Sequence, residues 1–296
     1  MANDYFQFQQ FTVRQDRCAM KVGTDGTLLG AWARVPSPPR PIPEELDKLN
    51  SLQGRKEVSI LDIGTGTSLI ALMMAQRFPQ AQVTGIDIDP LAVRQACENV
   101  AASPFADRIT IVEGDVRQAH TNLPLKGMQA PSNLPPKGRL PLEGLGEVSP
   151  FDAIVCNPPY FDSSNKSLPF GGRLEGACLP FGGRLEGACP DAQRTLARHT
   201  SSLSYRQLMA SAWQLLSDDG ELSVVIPFDC RTRMETEATL AGFCMVRTCA
   251  VRTTHTKPPR RFLLAFQKHP RPLQTEELVI GSEACNELTK DFYLKK

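Results

Sequence analysis

Four short apolar runs, Ser59 to Ile63, "QVTGIDI", "ITIVEGD" and "FDAIVCN", each carry a polar residue at the carboxyl end: Asp62, Asp87, Asp115 and Asn157. Runs of this length without strict alternation are the pattern of strands covered on both faces of a sheet. Helical patterns separate the first three. "LIALMMAQRF" follows the first run, and a helix with Asp89 as N-cap and Pro90 in its first turn follows the second. Strands alternating with helices predict an α/β chain with a parallel sheet. Open sheets of that kind bind ligands outside the carboxyl ends of their strands, so the polar residues share the expected ligand edge.

Between the first strand and its helix stands "DIGTGTS", Asp62 to Ser68. Gly64 and Gly66 permit a tight turn and a close backbone approach to a ligand, and the helix that follows offers free N–H groups. Asp87 lies 21 residues after Gly66, placed to accept hydrogen bonds from a ribose diol. The turn with Asp87 fits either a dinucleotide-binding dehydrogenase or an S-adenosylmethionine site. "NPPY", Asn157 to Tyr160, separates the two. The prolines end the strand ladder and hold Asn157 and Tyr160 at its carboxyl end. The side-chain carbonyl of Asn157 and the main-chain carbonyl of Pro158 can converge on the two hydrogens of an exocyclic NH₂, while Tyr160 stacks on a planar ring. That arrangement aims the nitrogen lone pair at a sulfonium methyl, so positioning and electrostatics suffice and no covalent protein nucleophile is needed.

Composition narrows the setting. The 296 residues, 41% hydrophobic, suffice for one large domain, and a net charge of +1 gives no overall argument for nucleic acid. The longest apolar stretch, Leu69 to Ala75, is far too short for a membrane span, and "MANDYFQFQQ" lacks the features of a signal peptide, so a cytoplasmic protein is expected. The nine cysteines include no C-x-x-C pair and the four histidines lie far apart, which predicts reduced thiols and no metal site.

"FQFQQFTVRQDRCAMKVGTDGTLLGAWA", together with "LDIGTGT", "GIDID", "NPPYF" and "ARHT", resembles the bacterial tRNA1(Val) (adenine-37-N6)-methyltransferases. These modify the adenosine just 3′ of the anticodon. The resemblance implies a Rossmann-like class I methyltransferase fold, with a seven-stranded, mostly parallel sheet and an antiparallel last strand, "RFLLAFQ". It also implies that S-adenosylmethionine is the cofactor and a valine tRNA the partner. Asp62, Gly64, Gly66, Asp87 and Asp115 would then form the cofactor set, with Asp87 on the ribose and Asp115 on the adenine edge. Thr24 and Asp25 would lie near the methionine end, and Asn157, Pro158 and Tyr160 would hold the target adenine. Glutamine N5-methylation of a protein offers the same NH₂ to the same carbonyls, and an RNA-binding module without catalysis is the alternative from another class.

Two departures from the family pattern stand out. Ser68 replaces the third glycine, where a Cβ takes space between helix and strand, although a serine can also cap the helix. The chain reads as a single domain, 1–296, with an N-terminal extension (1–33) and insertions at about 34–56, 122–148 and 165–189. The first two are rich in proline or glycine, and the third holds the tandem copies of "LPFGGRLEGAC". All three read as loop expansions, because closure entropy rises slowly with length. A tRNA substrate needs phosphate contacts. Between Ala238 and Thr275 lie seven Lys or Arg and no Asp or Glu, and "RTTHTKPPRR" reads as a basic turn between the final two strands. Arg252, Lys257, Arg260 and Arg261 are therefore expected on the RNA, a patch that Arg194, Arg198 and Arg206 and the N-terminal Arg14, Arg17 and Lys21 could extend. Tyr5, Phe6, Phe8 and Phe11 could stack bases, but are expected to pack against the domain.

Overall fold

The computed structural model describes residues 3–18, 21–36, 58–119, 150–158 and 203–294. The expected insertions at 122–148 and 165–189, nearly all of that at 34–56, and Pro159, Tyr160, Arg194 and Arg198 lie outside them. The described residues up to 158 and from 205 on make one compact unit, to which every element named here belongs.

The sheet has eight strands. Those of the sequence pattern are β3 (Val58–Ile63), β4 (Ala81–Asp87), β5 (Ile109–Glu113) and β6 (Phe151–Cys156). β7 (Leu216–Pro227), β8 (Cys244–Arg252), β9 (Arg261–Gln267) and β10 (Gln274–Val279) complete it. The spatial order is β10-β8-β9-β7-β6-β3-β4-β5, and β9 runs antiparallel to both its neighbours while every other pairing is parallel. The antiparallel "RFLLAFQ" is thus where expected, but it is not the last strand. β10 adds an eighth strand beside β8, on a sequence, "QTEELV", that buries little besides Leu278. Polar ties hold it there: Trp32 Nε1 donates to Glu276 at 2.7 Å, and Arg252 pairs with Glu277 at 2.9 Å. Charged residues on an edge strand also discourage pairing with further chains.

The helices include α1 (Thr24–Trp32), α2 (Leu69–Arg77), α3 (Pro90–Ala101), α4 (Tyr205–Leu215), α5 (Arg231–Leu240) and α6 (Glu283–Thr289). α2 is buried from Leu69 to Ala75 because the sheet covers one side and α1 the other. The two helices meet at Gly30, where a Cβ would stand 2.7 Å from Met73 Sδ, so only glycine allows this approach. Arg77 Nη1 closes the contact by donating to the Gly30 and Ala33 carbonyls at 2.8 and 2.7 Å, satisfying acceptors that the end of α1 leaves open.

Residues 3–33 are tied into the core at several points. β1 (Tyr5–Gln7) and β2 (Thr12–Arg14) form an antiparallel hairpin, with Phe8 and Phe11 buried and Phe6 packed against the core as expected, whereas Tyr5, expected to pack as well, is exposed. Asn99 on α3 accepts from Arg14 N and donates to the Arg14 and Thr67 carbonyls, joining the hairpin to the glycine turn. At the other end, Gln9 N donates to Phe292 O at 2.8 Å.

Candidate functional site

Strand order reverses at β3: the chain goes from β3 to β4 and β5 on one side, then returns to β6 on the other. Ligands of open α/β sheets sit outside the carboxyl ends at such a switch point. The register places the expected residues there in one row. Asp62 lies opposite Gly85 on β4 and Val155 on β6, Cys156 pairs with Ile63, and Asn157 follows Cys156. On the other side, Asp87 pairs with Glu113, two residues before Asp115. Along the edge the order is therefore Asn157, glycine turn, Asp87, Asp115.

The turn is held by the end of β4. Gly64 N and Thr65 N both donate to Ile86 O, at 2.9 and 3.1 Å, and Gly66 N donates to Asp87 Oδ2 at 2.8 Å. Gly64 and Gly66 have φ of 69° and 55°, in the left-handed region that favours glycine, and a Cβ on Gly64 would meet nothing within 4 Å. The open space over Gly64 is a cradle a ligand can enter. Asp87 also accepts from Asp89 N at 3.0 Å, and burial outweighs these bonds to raise its pKa.

Asp62 does something the sequence did not reveal. It is buried, with Oδ2 accepting from Thr65 Oγ1 at 2.7 Å and Ala71 N at 3.1 Å. One N–H of the first turns of α2 is thus committed to Asp62. Oδ1 has no hydrogen-bond partner among the described residues, and burial pushes the pKa up to about 7. A carboxylate with one buried, unanswered oxygen beside the glycine turn fits a cationic or donor group of a ligand. "GTGT" held the signal for Thr65, since a hydroxyl three residues past an aspartate can return to it.

Ser68 ends the turn at φ 64°, fully buried, and its hydroxyl neither caps α2 nor meets another partner among the described residues. The capping role open to it from sequence is not taken, because the left-handed backbone makes no side-chain cap bond there. Asp115 is engaged by Arg117, whose Nε donates to both carboxylate oxygens at 2.8 and 2.7 Å, and whose Nη2 reaches Oδ2. This holds the Asp115 carboxyl below the usual range.

Asp25 accepts from Arg261 Nε at 2.8 Å, so a residue expected on the cofactor and one expected on the RNA are partners. Thr24 opens α1 beside it and is exposed. The remaining basic residues divide. Arg247 is buried against Glu221 at 2.6 Å and stacks over Trp32, so it faces no RNA. Lys268 pairs with Asp218 at the amino-terminal edge of the sheet. Arg252, Lys257 and Arg260 cluster in the β8–β9 connection, with Arg252 Nη1 donating to Lys257 O and Lys257 and Arg260 exposed. Since β10 follows in the chain, that connection joins the expected strands without being the last.

Among the described residues no group of three His, Cys, Asp or Glu could hold a metal ion, and no helix is long and apolar enough to cross a membrane.

The model of a methyltransferase domain family matches residues 60–128, which span the glycine turn, Asp87 and Asp115. A tRNA1(Val) (adenine(37)-N6)-methyltransferase of Bacteroides thetaiotaomicron is 37% identical over 301 residues, covering 99% of each chain. Proteins of the same name from Porphyromonas gingivalis (39% identical, covering 89% of this chain and 80% of that one) and Tolumonas auensis (34%, 99% and 94%) are also similar. Among solved structures, one described as a predicted O-methyltransferase of Agrobacterium tumefaciens aligns with a TM-score of 0.51 at 15% identity, covering 90% of this chain and 96% of that one, a likeness of fold.

Proposed function

Because the chain belongs to the tRNA1(Val) (adenine(37)-N6)-methyltransferase family, we propose that it methylates N6 of adenosine 37 in a valine tRNA, in the cytoplasm. S-adenosylmethionine is the methyl donor; when bound it supplies an electrophilic methyl on a sulfonium. The residues present fit it. The open space over Gly64, the Asp87 carboxylate at the end of β4 and the buried Oδ1 of Asp62 offer room for a close approach, a diol acceptor and an oxygen without a partner among the described residues, in one row.

The observation that carries the reading is the position of Asn157 and Pro158. They follow β6 directly, one strand over from the glycine turn on β3, across the switch point. Two carbonyls there would accept the hydrogens of the adenine NH₂, orient its lone pair toward the cofactor half of the edge, and stabilise the positive charge that develops on nitrogen. Tyr160 would stack on the base. Asp87 would hold the ribose of the cofactor and Asp115 its adenine edge, with Thr24 and Asp25 near the methionine end. Arg252, Lys257 and Arg260 would meet phosphates, and Arg194 and Arg198 would extend that contact. The chain is one methyltransferase domain carrying loop insertions.

The test is transfer of a labelled methyl group to undermodified total tRNA, followed by mapping of the labelled nucleoside. N6-methyladenosine 3′ of a valine anticodon is expected; label in protein would move the assignment to glutamine methylation. Asn157→Ala should slow single-turnover transfer about 10²- to 10³-fold with S-adenosylmethionine affinity intact, and Asn157→Asp should fall between.

A further inference from the structure

The carboxyl edge continues past Asn157 in the direction away from the glycine turn. The next strand is β7, whose Val224 pairs with Cys156, and β7 runs on through Val225 and Ile226 to Pro227. Phe228 follows it. At about 3.3 Å per residue, Phe228 stands some 10 Å farther out along the strand direction than the level of Asn157, and one strand to the side. Phe228 is 48% exposed, although it begins a short turn directly after a strand and large aromatics are ordinarily covered.

The ring is also held in place. Phe228 N donates to Arg260 O at 3.1 Å, and the ring stacks on Phe262 with centroids 5.9 Å apart and planes at 29°. Phe262 is buried, and the Arg231 guanidinium lies 4.3 Å over it. The contact with Phe262 holds the ring, while about half of the residue's surface stays exposed. Exposed Arg260 stands beside it, on the connection that also holds Lys257. The turn's own carboxylate, Asp229, makes this spot less suited to a phosphate than to the uncharged face of a base.

Resting on the methyltransferase reading, we propose that Phe228 is a stacking platform for a base of the RNA that neighbours the methylated adenosine. Proteins read single-stranded RNA loops by splaying bases onto aromatic faces, with cations nearby for the backbone. An adenosine turned toward Asn157 leaves its neighbour unstacked, and Phe228 provides the replacement surface on the side opposite the cofactor. The ring contacts substrate and takes no part in the methyl transfer itself.

The experiment uses the full chain, saturating S-adenosylmethionine and an unmodified tRNA transcript. Phe228→Ala and Phe228→Leu should weaken tRNA binding about tenfold to a hundredfold, while Phe228→Tyr and Phe228→Trp stay within about threefold of wild type. Cofactor affinity and melting temperature should hold in all four, since the residue is half exposed. Removing one base flanking the target adenosine should cost the wild type the same factor and cost Phe228→Ala nothing further. Wild-type binding by Phe228→Leu would overturn the proposal, as would equal losses with and without the flanking bases. A shift in oligomeric state with RNA binding unchanged would overturn it too and assign the ring to a second copy of the chain. If the wild type methylates no RNA, the underlying reading fails, which the wild-type arm reports by itself.

Discussion

Replacing Ser68 with glycine should stabilise the protein. The serine holds a left-handed backbone at φ 64° and buries a hydroxyl that has no partner among the described residues. The left-handed conformation costs a residue with a Cβ about 1 kcal/mol or more. An unanswered buried hydroxyl costs about 1–3 kcal/mol. Against these, glycine loses about 0.5–1 kcal/mol more backbone entropy on folding. The balance favours Ser68→Gly by about 1–3 kcal/mol, or roughly 2–10 °C in melting temperature for a chain of this size. Ser68→Ala keeps the strain and removes the hydroxyl, so it should gain less. Urea unfolding of the three proteins, followed by circular dichroism, gives the order Gly, Ala, Ser. A loss of stability in Ser68→Ala would show that the hydroxyl is bonded in solution and refute the reasoning. If instead both variants were more stable but bound S-adenosylmethionine more weakly, the hydroxyl would be a cofactor contact retained at a cost in stability.

Asp87→Ala should weaken S-adenosylmethionine binding by about 1.5–3 kcal/mol in calorimetry, since a charged acceptor is lost and Gly66 N loses its anchor, while tRNA affinity holds; unchanged cofactor affinity would remove Asp87 from the site. For Asp62, whose folded pKa is raised to about 7 from an ordinary 3.8, the folded state binds the extra proton between those values. The associated stability is therefore present below about pH 4 and is lost as pH rises to about 7, so Asp62→Asn should flatten that slope in melting temperature, and an unaltered slope would place the titration elsewhere. Arg117→Ala releases the Asp115 carboxylate from a partly exposed pair worth up to about 1 kcal/mol, so cofactor affinity should tighten by no more than about fivefold; weaker binding would show that Arg117 itself holds the cofactor.

The half of the edge that follows strict α/β logic was legible in the sequence. Apolar runs, the glycine pair and Pro90 each have one dominant local reading, and β3 through β6, α2 and α3 formed as read. β10 escaped because its polar, charged run buries one main apolar side chain and is fixed by Trp32, Arg34 and Arg252, residues distant in the chain. Residues 3–33 read as an extension because the helix at Thr24–Trp32 is buried almost all round, leaving no amphipathic period to mark what it packs against. Phe228 sat in an unremarkable "IPFDC", and nothing local announces that it remains half exposed.

The basic run shows where charge counting stops being informative. Read as a series, its seven cations suggest one electropositive face. The sheet distributes them by strand direction: β8 and β9 are antiparallel, so residues near their connection emerge at the carboxyl edge and those toward the far end of β9 emerge at the opposite one. Arg247, in mid-strand, turns into the core and is neutralised by Glu221. What remains at the functional edge is short and local, and one member of it, Arg261, is bound to Asp25 on the helix that packs against α2. That pair joins the side of the edge expected to hold tRNA to the helix that supports the glycine turn. A charge change at Arg261 therefore acts on α1 as well as on any phosphate, whereas Arg260, exposed and with no ion-pair partner among the described residues, offers the cleaner measure of electrostatic contact with RNA.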